Sequence, residues 1–177
     1  MADAALRVFF ALWPDDQLRG ALADLAGEVA RETRGRPTAR ENIHLTLAFL
    51  GAQRPDRIAS LHALAERVHG SPFAVTFDEI GCFRRSAIAW LGSSVAQAEL
   101  TAVQKRLASA LRERGFPVDD RPYAPHLTLA RRIEAPVRRQ LSAPIAWKVG
   151  SFALVASETG RSGPTYRTLA DWSLVPA

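Results

Sequence analysis

The 177-residue sequence predicts an α+β protein with two mostly antiparallel sheets related by a pseudo-twofold axis, helices on the outside and a central cleft. Three observations predict it. The tetrapeptide HLTL occurs twice, at 44–47 and at 126–129. The strand–helix–strand order leading to the first copy restarts before the second, at an offset of about 81–82 residues. Joins such as FRRS at 83–86 are as short as those of antiparallel hairpins, whereas a parallel crossover needs a dozen residues or more.

In chain order, LRVFFAL (6–12) reads as a short buried strand. A helix over 15–32 follows. Its Leu18, Leu22, Leu25 and Val29 share one face, Pro14 precedes it, and Asp15 and Asp16 suit its electropositive N-terminus. After the basic, turn-rich TRGRPTAREN comes the strand IHLTLAFLG (43–51). Pro55 opens a second helix with Ile58, Leu61, Leu64 and Val68 on one side. FAVTFDEIGCF (73–83) and AIAWLG (87–92) are strands, rich in β-branched and aromatic residues. The pattern then restarts with a helix over 96–114, its Leu100, Val103, Leu107 and Leu111 turned inward, and a strand HLTLARR (126–132). A short helical stretch near Val137–Leu141 is expected next, then strands in WKVGSFALVASE (147–158) and YRTLADWSLV (166–175). Even the approaches match, RGRP before the first HLTL and RGFP before the second. The chain therefore reads as a duplicated β-α-β-α-β unit, with repeats at about 6–83 and 87–157. No shift in composition or Pro/Gly linker divides it, so residues 1–177 are expected to form a single bilobal domain. Two copies are too few for a solenoid.

Composition narrows the function classes. Apolar residues at 47% and charged residues at 23% fit a soluble globular chain. No apolar run reaches the roughly 20 residues of a membrane span. The opening MADAALRVFFALWPDD lacks the basic start and long apolar stretch of a signal peptide, so a cytoplasmic protein is expected. Cys82 is the one cysteine, which rules out an internal disulfide, and no Cys/His cluster has zinc-site spacing. Neither a metal nor a cofactor is expected, and a monomer is the default. The net charge of +5 is carried by 21 Arg and 2 Lys, Lys105 and Lys148. Guanidinium forks suit phosphate oxygens, so a polyanionic partner is permitted; Arg and Ala enrichment from GC-rich coding explains the same numbers.

The repeated tetrapeptide carries the chemistry. Alternate side chains of a strand share a face, so Leu45 and Leu47 anchor the strand while His44 and Thr46 face the opposite way. A pseudo-twofold brings a second such pair, His126 and Thr128, across the cleft. Two imidazoles flanking one point suit displacement at a phosphodiester. One, neutral, takes a proton from the attacking oxygen; the other, protonated, gives one to the leaving oxygen. The hydroxyls can donate to non-bridging phosphate oxygens. The same residues, packed as two ordinary strands, are the structural alternative; the polar identities kept on one face in both copies favour a site.

Paired H-x-T-x motifs about 80 residues apart in a duplicated chain resemble those of the two-histidine (2H) phosphoesterases. ENIHLTLAFLG and RPYAPHLTLARR are similar to the bacterial and archaeal RNA 2',3'-cyclic phosphodiesterases, also called 2'-5' RNA ligases. RVFFAL, AIAWLG and ASETGRSGPTYRTLADWSL extend the likeness over nearly the whole chain. The resemblance implies metal-independent opening of an RNA 2',3'-cyclic phosphate to a 2'-phosphomonoester, with ATP-independent joining to a 5'-hydroxyl as the slow reverse reaction. It makes His44 and His126 the catalytic pair, with His44 assigned as acid and His126 as base, and Thr46 and Thr128 the phosphate-oxygen donors. Arg131 matches the basic residue after the second motif, although strict alternation puts it on the leucine side, so a twist or bulge at the strand end, or the length of the Arg side chain, is required. Phe9 as a base-stacking residue, and Tyr123 and Tyr166 as phosphate or sugar contacts, are further candidates, each with packing as the alternative. His62 and His69 fall outside the motifs, on a solvated helix face. TRGRPTAR and Arg84–Arg85 either steer RNA or form an ordinary basic surface. Two other functions stay open: an RNA- or nucleotide-binding module with little turnover, and a 2H phosphodiesterase acting on a small cyclic nucleotide or a 2'-5' oligonucleotide.

Overall fold

The chain runs as β1 (Leu6–Leu12), α1 (Asp16–Thr33), β2 (Arg36–Pro37), β3 (Leu45–Gln53), α2 (Pro55–Ala65), β4 (Phe73–Phe83), β5 (Ile88–Gly92), α3 (Ala98–Glu113), β6 (Leu127–Arg131), β7 (Arg139–Val149), β8 (Ser151–Gly160) and β9 (Gly163–Ser173). Single 3-10 turns occupy Arg40–Asn42 and Arg84–Ser86. The computed structural model describes residues 5–160 and 163–176, apart from the Thr159 side chain. The first four residues, and Arg161 and Ser162 in the late segment quoted above, lie outside the described residues. The start of α1 follows from its sequence. Asp15 caps it, its carboxylate accepting from the Leu18 N–H at 2.8 Å, which satisfies one of the free amides of the first turn.

The strands lie in the order β7-β4-β5-β6-β3-β1-β8-β9, with β2 added beside β6. Each pairing among the described residues is antiparallel. The two predicted sheets are the two four-stranded halves of this path. They meet where Leu45 of β3 pairs with Leu127 of β6. The halves are not the sequence repeats themselves. β4, which ends the first repeat, lies beside β5 of the second, and β8, which ends the second, lies beside β1 of the first. The helices cross over as well, α1 packing on β6 and α3 on β3. One apolar core thus runs beneath both halves, from Val8, Phe10 and Leu12 through Leu45 and Leu127 to Leu100 and Leu107. The opposite face of the sheet is left for the cleft.

Three local expectations are corrected. The predicted helical stretch near Val137–Leu141 is absent; β7 begins at Arg139 and pairs with β4, Ile80 opposite Arg139 and Phe77 opposite Ile145. A one-turn helix is marginal by itself, whereas this segment completes the edge of β4 and turns Ile145, Trp147 and Val149 inward with period two. The expected strand over 147–158 is broken at Gly150, where the chain leaves β7 in one half and enters β8 in the other. Val68 lies past the end of α2 yet remains in the core.

The junction predicts a stability test. Leu127 is fully buried at the residue pair joining the halves. Leu127→Ala removes that packing and is expected to cost about 2–5 kcal/mol. Chemical denaturation measures it; a loss below about 1 kcal/mol would mean the halves hold together without this contact.

Candidate active site

β3 and β6 present the motif to the cleft as alternation requires. Ile43, Leu45 and Leu47 are buried, while His44 and Thr46 between them are half-buried; Leu127 and Leu129 flank Thr128 in the same way. The two HLTL segments run antiparallel at the junction of the halves, so both imidazoles face one space. Their proximity is felt electrostatically, the His126 charge acting on His44.

Both rings are oriented by the same device. His44 Nδ1 is 2.7 Å from the Asn42 carbonyl oxygen and His126 Nδ1 is 2.8 Å from that of Ala124, in each case two residues upstream. A carbonyl can only accept, so Nδ1 carries the hydrogen and Nε2 is the working nitrogen of each ring. In the neutral His44 ring, Nε2 accepts from the Thr46 hydroxyl at 3.1 Å. Asn42 is held in turn, its Nδ2 donating to the Pro164 carbonyl of the β8–β9 hairpin at 2.8 Å.

Arg131 reaches the His–Thr side because β6 is bulged. Trp90 pairs with Thr128 but Ala89 with Ala130, leaving Leu129 as an extra residue. The slip moves Ala130 into the core and turns Arg131 to the cleft face. The first copy bulges at the same letter. Ala11 pairs with Thr46 and Phe10 with Ala48, leaving Leu47 extra, and the position matching Arg131 is Phe49. Symmetry of backbone thus yields a cation on one side and an exposed phenyl ring, 53% accessible, on the other.

The environment sets the proton affinities. Burial pushes His44 down from its usual 6.5 to about 4; the bond to Asn42 opposes this, and the Arg131 and His126 charges add to it. His126 is lowered too, by burial first and then by Arg131, against its bond to Ala124. Burial raises Tyr166, and Arg131 partly offsets that. The one guanidinium therefore acts on both histidines and on Tyr166.

The other candidates fall in different places. Phe9 does not offer a stacking face. It is 3% exposed, with its ring 4.9 Å from His44 and 5.1 Å from Tyr166, and it forms with Trp13 and Tyr166 an aromatic cage around His44. Tyr123 is engaged elsewhere, its hydroxyl donating to the Thr46 carbonyl at 3.1 Å and so tying the approach to the second motif onto the first; burial raises its pKa. Tyr166 remains at the cleft, half-buried and edge-on to His44. His62 is not freely solvated as expected but packs against Trp172, 5.5 Å between ring centroids, and His69 is exposed.

Sequence reasoning missed the aromatic wall beside His126. Phe83 meets that ring edge-on at 5.0 Å, and its own ring lies 5.6 Å from that of Trp90. The Trp90 indole lies flat over Gly81 and Gly92, where an added Cβ would come within 2.3 and 2.7 Å of it. A cavity of about 360 Å³ opens there, lined by Glu79, Phe83, Trp90, Tyr123 and His126 among others. The repeat did not announce it: an offset of about 81–82 residues sets Trp90 against Phe9 or Val8, and only the strand pairing puts Trp90 opposite Thr128 as Ala11 is opposite Thr46.

Fold and site together define a two-histidine phosphoesterase, with paired strands presenting imidazole and hydroxyl across a pseudo-symmetric cleft. The family model of the 2'-5' RNA ligase superfamily matches residues 14–161, and the chain belongs to that superfamily. It is 32% identical over 169 residues to the RNA 2',3'-cyclic phosphodiesterase of Escherichia coli (strain K12), covering 95% of this chain and 96% of that protein. It is 33% identical to the protein of the same name from Thermus thermophilus, with 96% and 90% covered. The crystal structure of E. coli LigT complexed with 3'-AMP matches with a TM-score of 0.88 at 32% identity, covering 96% of this chain and 98% of that one. The crystal structure of TT0787 of T. thermophilus matches at 0.84 and 28%, with 96% and 98% covered.

The depressed His44 predicts acid lability. Its proton affinity is lower in the folded state, about 4 against the usual 6.5, so the associated stability is full above pH 6.5 and is lost as pH falls through the window between these values. The loss is on the order of 3 kcal/mol at about 1.36 kcal/mol per pH unit. Denaturation at pH 7 and pH 4.5 should show a smaller pH difference in His44→Asn than in the unmodified protein; equal differences would assign the lability to other groups.

Proposed function

We propose that this protein hydrolyses the 2',3'-cyclic phosphate at an RNA 3' end to a 2'-phosphomonoester, by proton transfer between two imidazoles and without a metal ion. The observation carrying this reading is the matched orientation of the histidines. Each has Nδ1–H committed to a backbone carbonyl, and each is left with Nε2 for chemistry, beside Thr46, Thr128 and Arg131. Likeness to proteins named RNA 2',3'-cyclic phosphodiesterase over most of the chain supports it, as does the 3'-AMP complex of one structural relative.

In this mechanism the phosphate sits between the rings, with Arg131 and the threonine hydroxyls on its non-bridging oxygens. His126 Nε2 takes a proton from water as the water oxygen bonds to phosphorus. The P–O3' bond breaks, and His44 Nε2–H delivers its proton to O3'. Protonating His44 reverses its bond to Thr46: Nε2 becomes the donor, and the hydroxyl hydrogen is released toward a phosphate oxygen. Burial first, and the Arg131 charge after it, disfavour an imidazolium at His44; an anionic substrate offsets them, so proton uptake by His44 accompanies binding. His44, charged only with the substrate in place, then serves as the acid and His126 as the base. A 5'-hydroxyl in place of water gives 2'-5' joining by the same geometry. The working unit is proposed to be a cytoplasmic monomer, residues 1–177 acting as one bilobal domain.

The test follows an oligoribonucleotide ending in a 2',3'-cyclic phosphate, in EDTA, with 2'- and 3'-phosphate products resolved. Conversion to the 2'-phosphate is expected, with kcat reduced about 10²–10⁴-fold in His44→Ala and in His126→Ala. Binding without turnover would leave a recognition module, and preference for a 2'-5' oligonucleotide would move the substrate class. The acid is identified by sulfur in place of O3', a leaving group that needs no proton. It should restore turnover to His44→Ala and not to His126→Ala; the opposite pattern exchanges the roles.

A further inference from the structure

A second arginine stands beside Arg131 on the cleft face. β2 pairs with β6 so that Arg36 is the direct cross-strand neighbour of Arg131, on the edge of β6 that β3 leaves free beyond Leu127. Cross-strand partners share a face and lie about 5 Å apart, a separation comparable with that of successive phosphates in a nucleic-acid strand. The backbone carrying Arg36 is pinned on both sides. Thr38 N–H donates to the Leu129 carbonyl at 2.8 Å, and the amides of Glu134 and Ala135 donate to that of Thr33. Gly35 is needed for the close approach, since a Cβ there would come within 2.9 Å of Ile133 and 3.0 Å of the Arg131 carbonyl oxygen. Arg36 is exposed, and none of the ion pairs among the described residues uses it. The matching letter in the second repeat, RGFP for RGRP, is Phe116, buried beneath the Arg57 guanidinium. The cation pair therefore occurs on one side of the cleft.

We propose that Arg36 binds the phosphodiester one nucleotide upstream of the cyclic phosphate held by Arg131, so that the site selects an RNA strand over a lone cyclic nucleotide. The proposal rests on the phosphodiesterase reading above. A strand ending in a cyclic phosphate has further phosphates only on its upstream side, so a second guanidinium beside the reacting group has one class of partner. The exposed Arg84 and Arg85, in the turn before β5, and Arg132, after β6, lie near the same end and continue the positive surface away from Arg131.

The test compares 2',3'-cyclic AMP with a dinucleotide and a decanucleotide ending in the same cyclic phosphate, on the unmodified protein, Arg36→Gln and Arg36→Lys. The expected result is a lower KM for both strands than for the mononucleotide. Arg36→Gln should raise KM for the strands about 5–10-fold, with kcat and the mononucleotide KM unchanged and the salt slope for strand binding smaller by about one; Arg36→Lys should recover part of the loss. A dinucleotide with a neutral methylphosphonate linkage should lose the same advantage on the unmodified protein and be indifferent to Arg36→Gln. Equal losses on strand and mononucleotide would make Arg36 part of the Arg131 site, and no loss on either would make it ordinary surface; both overturn the proposal. Failure of the unmodified protein to turn over any of the three would overturn the phosphodiesterase reading itself.

Discussion

The alternation of two strands is the constraint from which the rest follows. A strand that buries Ile43, Leu45 and Leu47 in the helix-side core cannot bury His44 and Thr46 with them, and the same holds for Leu127 and Leu129 with respect to Thr128. Burial of several aliphatic side chains, each contributing about 1.5–3 kcal/mol, fixes the register. A one-residue slip would turn a whole set of leucines to the cleft and the histidines into the core. Active-site geometry and core packing are thus one choice seen from two faces, and the junction pair Leu45–Leu127 makes the choice in both repeats at once.

A departure from that alternation then sets the polarity of the site. The bulges at Leu47 and Leu129 are the same defect in both copies, each turning the fifth residue after the histidine to the cleft. What the copies place there differs, Phe49 in one and Arg131 in the other. The same divergence recurs at Arg36 and Phe116 and at Ala11 and Trp90. A phosphodiester is not symmetric about phosphorus once one bond must break and another form. A duplicated backbone with unequal side chains supplies equal placement of two imidazoles and an unequal field across them.

The sequence carried the strand–helix order and both motifs because each depends on local periodicity. Leu18, Leu22, Leu25 and Val29 announce a helix wherever the chain goes, and HLTL announces its faces. It did not carry the exchange of β4 and β8 between halves, which depends on distant edges finding partners. For the same reason it did not carry the strand at 139–149, whose partner is the distant edge of β4. The alternation rule placed Arg131 on the wrong face, and only the register of β6 against β5 shows the extra residue that corrects it. Phe9 looked free because half of VFFAL must face outward; that outward side is itself closed, by the cage around His44. The carbonyls of Asn42 and Ala124 could not be singled out, since a backbone acceptor leaves no trace in residue identity.

The cage gives the site its character. Phe9, Trp13 and Tyr166 remove His44 from water, and Arg131 adds positive charge, so the resting rings are held against protonation. Such an arrangement is unfavourable for an imidazolium alone and favourable for an imidazolium beside a bound phosphate. The anion replaces solvent as its counter-charge in a medium where each electrostatic contact is stronger than in water. In the proposed mechanism, protonation of the acid is thereby linked to binding of the phosphate. A carboxylate in place of the substrate would hold a histidine charged at all times; in the proposed mechanism the phosphate fills that role, and the proton arrives with the group that will use it. The strands tolerate this because the unfavourable face is backed, residue for residue, by the leucine face that folds them.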